Sequence, residues 1–233
     1  MGQLPAAAVL IDIEGTAIPR EFVPAVLLPY AIAQLSGFIE RRGDDPAVRS
    51  ALDEVSRMVP GQAPDVTLAH WALRDAPVPP LHALQGLMWL EGFASGALVD
   101  PIFPDVGLSL RRWSRGGLRL ATYSADTAVM QRLLFAHAPG GDLSGLFAGF
   151  FDTRVGMKAE PDSFSRLAIA MAVPTAEVIY LSSVEAELDA AAAAGMRTCQ
   201  ILRADSRAKP AERHPVAIDF AAAAIVMGLP SAA

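Results

Sequence analysis

At 233 residues the chain has room for one domain with an insertion, or for two small domains, around a sizeable core. Its 52% hydrophobic content and positive mean hydropathy exclude a disordered chain, while Pro, Gly or charge interrupts each apolar stretch before about 18 residues, so no membrane partner is expected. A net charge of −6 excludes a general nucleic-acid binder and requires any phosphate site to be a local positive spot.

The opening "MGQLPAAAVLID" has no basic leader ahead of an apolar core. Its "AAAVLID" (Ala6 to Asp12) is a short continuous apolar run, the pattern of a strand covered on both faces. Asp12 ends that run and Glu14 follows two residues on, before a break at Pro19. A carboxylate at the tip of a buried strand is costly unless it is paired, hydrogen-bonded or metal-bound; the bland alternative is a turn cap.

Roughly a hundred residues then intervene where a strand-to-helix connection normally needs a handful. Helical periodicity runs through "FVPAVLLPYAIAQLSGFIERR", "PAVRSALDEVSRMV" and "LHALQGLMWLEGFASG", with breaks at Pro60 to Pro64 and Pro77 to Pro80. An inserted α-helical lobe is expected here, able to cover the crevice at the carboxyl edge of a parallel sheet. Trp71, Trp89 and Trp113 lie on helical segments and read as packing residues.

Beyond the insert, "LRLATYS" (118–124), "VIYLSS" (178–183) and "RTCQILR" (197–203) read as strands. The helix-like "DTAVMQRLLFAHA", "PDSFSRLAIAMA" and "VEAELDAAAAAG" lie among them. Strands alternating with helices give the expected fold class: α/β, a doubly wound parallel sheet with a helical cap inserted after the first strand. The expected domains are 1–19 with 100–233 for the core and 20–99 for the cap. The tail past Arg203 reads as a loop and a last helix from about Asp219.

Four strand or loop ends carry polar residues toward one edge: Asp12 with Glu14, Ser124 in "TYSAD", Lys158 in "VGMKAEPDSF", and Ser182-Ser183 ahead of Glu185, Glu187 and Asp189. Taken singly, Ser124 is an N-cap, Lys158 a surface lysine, and Ser182 with Glu185 a capping box. Asp152 in "FFDT" is either a turn residue or a support behind Lys158. The remaining basic residues are arginines apart from Lys209, and read as solvated surface. The four histidines lack metal-ligand spacing. Cys199 is the only cysteine, inside a strand, and reads as an inert core thiol; one cysteine suits a reducing cytoplasm.

Together these motifs resemble the haloacid dehalogenase superfamily and, within it, the enolase-phosphatases (acireductone synthases) of methionine salvage. "DIEGT", "FVPAVLLPYA", "LQGLMWLEGFASG", "LLFAHAPGGDLSGLFAGFFDTRVGMK" and "ELDAAAAAGMRT" carry the likeness from Val9 to about Arg203. The resemblance implies a monomeric phosphohydrolase. The reaction it implies is conversion of 2,3-diketo-5-methylthiopentyl 1-phosphate, a phosphorylated small molecule, to acireductone. Asp12 is then the nucleophile that forms an aspartyl-phosphate, and Glu14 the acid and then base. By the same resemblance Ser124, Ala125 and Lys158 are expected to bind phosphate oxygens, and Mg2+ is expected to be held by Asp12, by the Glu14 carbonyl and by position 183.

Two positions depart from the family pattern. Ala125 stands where a second serine is expected after the second strand, leaving only its amide. Ser183 stands where the family has its magnesium-ligating aspartate, and Mg2+ is a hard cation that wants carboxylate oxygens. Glu187, one helical turn beyond, could reach back as a substitute directly or through water, as could Glu185 if the helix starts late. Position 183 keeps two alternatives open: an enzyme of the same fold with altered substrate or reduced metal dependence, and a non-catalytic binder of a phosphate ligand.

Overall fold

The structure is a computed structural model that describes residues 5–99, 101–138, 140–204, 206 and 208–231. The chain divides into two compact units, Met1–Arg20 with Asp100–Ala233, and Glu21–Val99.

In the first unit the described residues form a six-stranded sheet: β1 (Ala8–Ile11), β2 (Arg119–Tyr123), β3 (Phe147–Phe151), β4 (Val178–Ser182), β5 (Arg197–Ile201) and β6 (Val216–Ala217). Every pairing is parallel and the order is β3-β2-β1-β4-β5-β6. Leu10 pairs with Ala121 on one side and Tyr180 on the other, so β1 is central, which is why its side chains are all buried. Between β1 and β4 the strand order reverses direction, the switch point at which ligands of doubly wound sheets bind.

Helices α5 (Pro104–Arg115), α6 (Ala128–Ala136), α7 (Pro161–Ala170), α8 (Glu185–Ala193) and α9 (Phe220–Met227) belong to this unit. Under α7 and α8, Phe164 meets Tyr123 and Tyr180 edge-on, with centroids 5.6 Å and 5.0 Å apart, in a cluster with Leu10, Leu167 and Leu188. Trp113 is fully buried and stacks on Phe220 at 5.4 Å. Cys199 is buried in β5, and burial pushes its thiol up to about 11, so it is the inert core thiol expected.

The parallel α/β sheet agrees with the sequence reading; two of its strands do not appear there. β3 reads FAGFF, apolar but holding Gly149 and only half-buried along most of its length, and β6 is two residues long, too short for a periodic signal.

The second unit holds α1 (Leu28–Arg42), α2 (Pro46–Met58), α3 (Pro64–Ala72) and α4 (Pro79–Ser95). One expectation is corrected here. Pro24, Pro29 and Gly37 do not interrupt the first segment: a π-helical stretch, Val23–Leu27, runs straight into α1. The 20-residue helix Val23–Arg42 is long and apolar enough, on length and composition alone, to cross a membrane. Pro24 sits in the first turn, where its missing N–H is tolerated, and Pro29 comes just after the π-helical stretch. Leu27, Ala31, Leu35 and Phe38 of this helix are buried, while Val26 and Ile32 are exposed. Trp89 is a packing residue, as expected, with its indole N–H donated to the Leu27 carbonyl at 2.9 Å.

Candidate active site

Beyond Ile11 the chain leaves the sheet in a tight turn. The amides of Thr16, Ala17 and Ile18 all donate to the Ile13 carbonyl, and Gly15 takes φ +74°. That left-handed conformation suits glycine, and a Cβ there would stand 2.9 Å from Ser183 Oγ. The turn leaves Asp12 at the tip of β1 with 3% of its surface exposed.

Asp12 is fully engaged. Its Oδ1 lies 2.5 Å from Lys158 Nζ, and its Oδ2 accepts from Thr16 Oγ1 at 2.8 Å and from Ser182 Oγ at 3.4 Å. A buried carboxylate at a strand tip is thus paired and hydrogen-bonded, as its placement demands. Thr16 joins the two switch-point strands, since its hydroxyl oxygen also accepts from the Ser183 amide at 2.9 Å.

Lys158 is no surface lysine. Its ammonium sits between Asp12 and Glu187, the latter at 3.0 Å. Burial alone would lower its pKa, but the two carboxylates outweigh burial and hold it above the usual value. Glu187 Oε2 also accepts from Tyr180 Oη at 2.7 Å and Ser182 Oγ at 2.8 Å. Burial, then the Asp12 charge, raises the Glu187 pKa against these favourable contacts.

Glu14 is half-buried beside this cluster, and its pKa is pushed up to about 7. Burial is the largest cause; Asp126 and Asp12 add to it, and Lys158 and Arg20 oppose it. Ser124, at the carboxyl end of β2, is buried, while Ala125 beside it is exposed. The Ser124 hydroxyl accepts from the Asp126 amide at 3.1 Å and donates to the Asp126 carboxylate at 3.3 Å. It is not an N-cap: Thr127 caps α6, accepting from the Met130 amide.

Ser182 and Glu185 form no capping box either. The α8 N-cap residue is Val184, and Ser182 Oγ accepts from the Val184 amide at 3.1 Å while serving Asp12 and Glu187. Asp152 is a turn residue, binding the Arg154 amide and guanidinium and the first amide of α6.

One arginine, Arg203, overturns the reading of arginine as solvated surface, and a second, Arg20, is exposed as that reading has it and still reaches the site. Arg203 has 6% of its surface exposed; its guanidinium holds the Thr16 carbonyl at 2.7 and 2.9 Å and Asp105 at 2.8 Å, and lies over the Phe103 ring. Arg20 Nη2 donates to Ser183 Oγ at 2.8 Å. Sequence reasoning also passed over Thr16 and the clamp of Glu187 on Lys158. Arg203 did carry a signal, standing at the same carboxyl edge as the strand-end residues that were singled out.

This strand order, with an engaged carboxylate after β1 and a buried lysine reaching it, defines a haloacid-dehalogenase-like α/β protein. The fold matches that of a HAD phosphatase from Thermococcus onnurineus, with TM-score 0.61 and 19% identity over 97% of this chain and 99% of that one. A crystallised UTR4 protein from Saccharomyces cerevisiae is nearer: TM-score 0.81 and 28% identity, covering 92% of this chain and 98% of that one. A curated protein of Granulibacter bethesdensis, named enolase-phosphatase E1, is 47% identical over 227 residues, 97% of this chain and 98% of its own length. None of the protein-family models compared with the chain matches it. The chain belongs to the enolase-phosphatase E1 family.

Phosphatases of this superfamily generally use Mg2+, and the donors around Asp12 do not fit it. Both Asp12 oxygens are engaged, the Glu187 Oε2 accepts from three donors, and position 183 offers a hydroxyl whose oxygen faces a guanidinium. Among the described residues, no group of three or more His, Cys, Asp or Glu side chains could hold a metal ion. A divalent cation would have to displace these contacts and stand beside the Lys158 ammonium already paired with Asp12.

Proposed function

We propose that the chain is an enolase-phosphatase that turns 2,3-diketo-5-methylthiopentyl 1-phosphate into acireductone through an aspartyl-phosphate at Asp12. The observation that carries this reading is the Asp12 carboxylate, buried at the switch point with Lys158 on one oxygen and Thr16 on the other. An anionic nucleophile has to meet an anionic phosphoryl group, and Lys158 reduces that repulsion.

Asp12 attacks phosphorus as the ester oxygen leaves with a proton from Glu14. Glu14, now a carboxylate, takes a proton from the water that cleaves the acyl phosphate and releases inorganic phosphate. A carboxyl group titrating near pH 7 serves both directions of that transfer, and also the proton removal that enolises the diketone. Ser124 and the Ala125 amide, at the end of β2, are read as further ligands of the phosphate oxygens, and Ser183 and Glu187 as residues that hold cations in place. The helical unit is read as the cap that shields the bound substrate from water. A monomer in the cytoplasm belongs to the same reading.

The test is release of inorganic phosphate from the diketone phosphate by purified protein. Turnover by wild type and none by Asp12→Asn is expected; equal turnover by both removes Asp12 as nucleophile.

A further inference from the structure

We propose that the Arg20 guanidinium, seated on Ser183, takes the place of the divalent cation, so that this chain binds and transfers its phosphoryl group with two fixed side-chain cations and no metal. The inference rests on the phosphatase reading and deepens it. Three observations carry it.

The first is position. Ser183 follows β4, beside Asp12 at the end of β1, and its hydroxyl lies 3.4 Å from the Glu14 carbonyl and 2.8 Å from Arg20 Nη2. The residue expected to anchor the metal therefore holds a cation directly. An aspartate at position 183 would tie Arg20 into an ion pair; a serine orients the guanidinium and leaves its charge uncompensated.

The second is space. A Cβ at Gly15 would stand 3.2 Å from Arg20 Nη2 and 3.3 Å from Nε, so the bare backbone of this turn is what lets the guanidinium lie against it. The third is charge. Lys158 Nζ is paired with Asp12 Oδ1, so one side-chain cation already stands at the nucleophile, and Arg20 on Ser183 supplies a second.

Chemically the substitution is balanced. As Asp12 attacks and the ester P–O bond breaks, charge grows on the equatorial phosphoryl oxygens. A guanidinium presents several N–H donors to those oxygens, at fixed charge, without the dehydration that Mg2+ resists. The leaving oxygen's proton still comes from Glu14, and water still completes the second displacement. Neither step needs a co-reactant beyond substrate and water.

The test is calorimetric binding of inorganic phosphate, the product, in EDTA and in excess magnesium, with thermal melts as the check that each variant folds. Wild type is expected to bind equally, within about twofold, in both. Arg20→Ala is expected to weaken binding about tenfold or more, magnesium not restoring it, with partial recovery in Arg20→Lys. In the double variant Arg20→Ala/Ser183→Asp, phosphate affinity is expected to return only with magnesium. Wild-type binding that collapses in EDTA, or an Arg20→Ala that binds like wild type, overturns the inference. Lys158→Ala separates the two readings. If it loses phosphate while Arg20→Ala does not, the phosphatase site stands and the metal replacement falls; if neither variant loses phosphate, the phosphate site falls and the inference with it.

Discussion

Lys158 Nζ lies 3.0 Å from Glu187 Oε2 and also pairs with Asp12 Oδ1, so the buried lysine is held between two carboxylates. Glu187 is in turn held by Tyr180 and Ser182. Glu187→Ala leaves the buried Tyr180 hydroxyl without its acceptor, Ser182 with only the longer contact to Asp12, and Lys158 with one carboxylate instead of two. A loss of about 2 kcal/mol of stability is expected in urea unfolding, together with a raised KM. Glu187→Gln, which still accepts from Tyr180, is expected to recover most of the stability and little of the KM. Equal recovery of both would mean that Glu187 only packs.

Thr16 ties Asp12 to the Ser183 amide. Thr16→Val removes both bonds and strands a buried N–H, which costs about 1–3 kcal/mol. A fall in kcat larger than any change in KM is expected, because the nucleophile loses its orientation rather than the substrate its contacts. Thr16→Ser keeps the hydroxyl and is expected to restore kcat; failure to do so would show that the methyl group, not the hydrogen bonds, matters.

Glu14 gives a signed pH dependence. Burial lifts its pKa from an ordinary 4.5 to about 7, so between those values the folded protein keeps a proton that the unfolded chain has released. Its contribution to stability is complete below about pH 4.5 and is lost as the pH rises through about 7. Denaturant unfolding across this window is expected to show wild type losing stability relative to Glu14→Gln with rising pH. Parallel curves would contradict a carboxyl group titrating near neutrality.

Cys199 provides a control on the core. Its buried thiol, with a pKa of about 11, is expected to resist thiol reagents at pH 8 until the protein unfolds. Labelling of the native protein at the rate of a free thiol would contradict the packing of β5.

The sheet was legible because β1 and β4 are buried along their whole length and read as near-continuous apolar runs between helix-like segments; β3, apolar but half-buried and holding Gly149, was passed over. Asp12, Ser182 and Ser183 could be read as strand-end polar residues, and Lys158 through the family likeness. The partners of these residues could not. Glu187 meets Lys158, and Arg20 meets Ser183, across 29 and 163 residues of chain, which no local periodicity records. Arginine was misjudged for a physical reason: a stem that snorkels to water and one that drives a buried guanidinium onto a carbonyl, as Arg203 does on Thr16, have the same sequence appearance.

The central claim, nucleophilic attack by Asp12, is tested most directly by acid-quenching the wild-type protein during turnover of the diketone phosphate and weighing its peptides. A phosphoryl group on the peptide that contains Asp12, absent from Asp12→Asn, is the expected result. Phosphate release with no phosphorylated peptide at any quench time, and undiminished in Asp12→Asn, would contradict it.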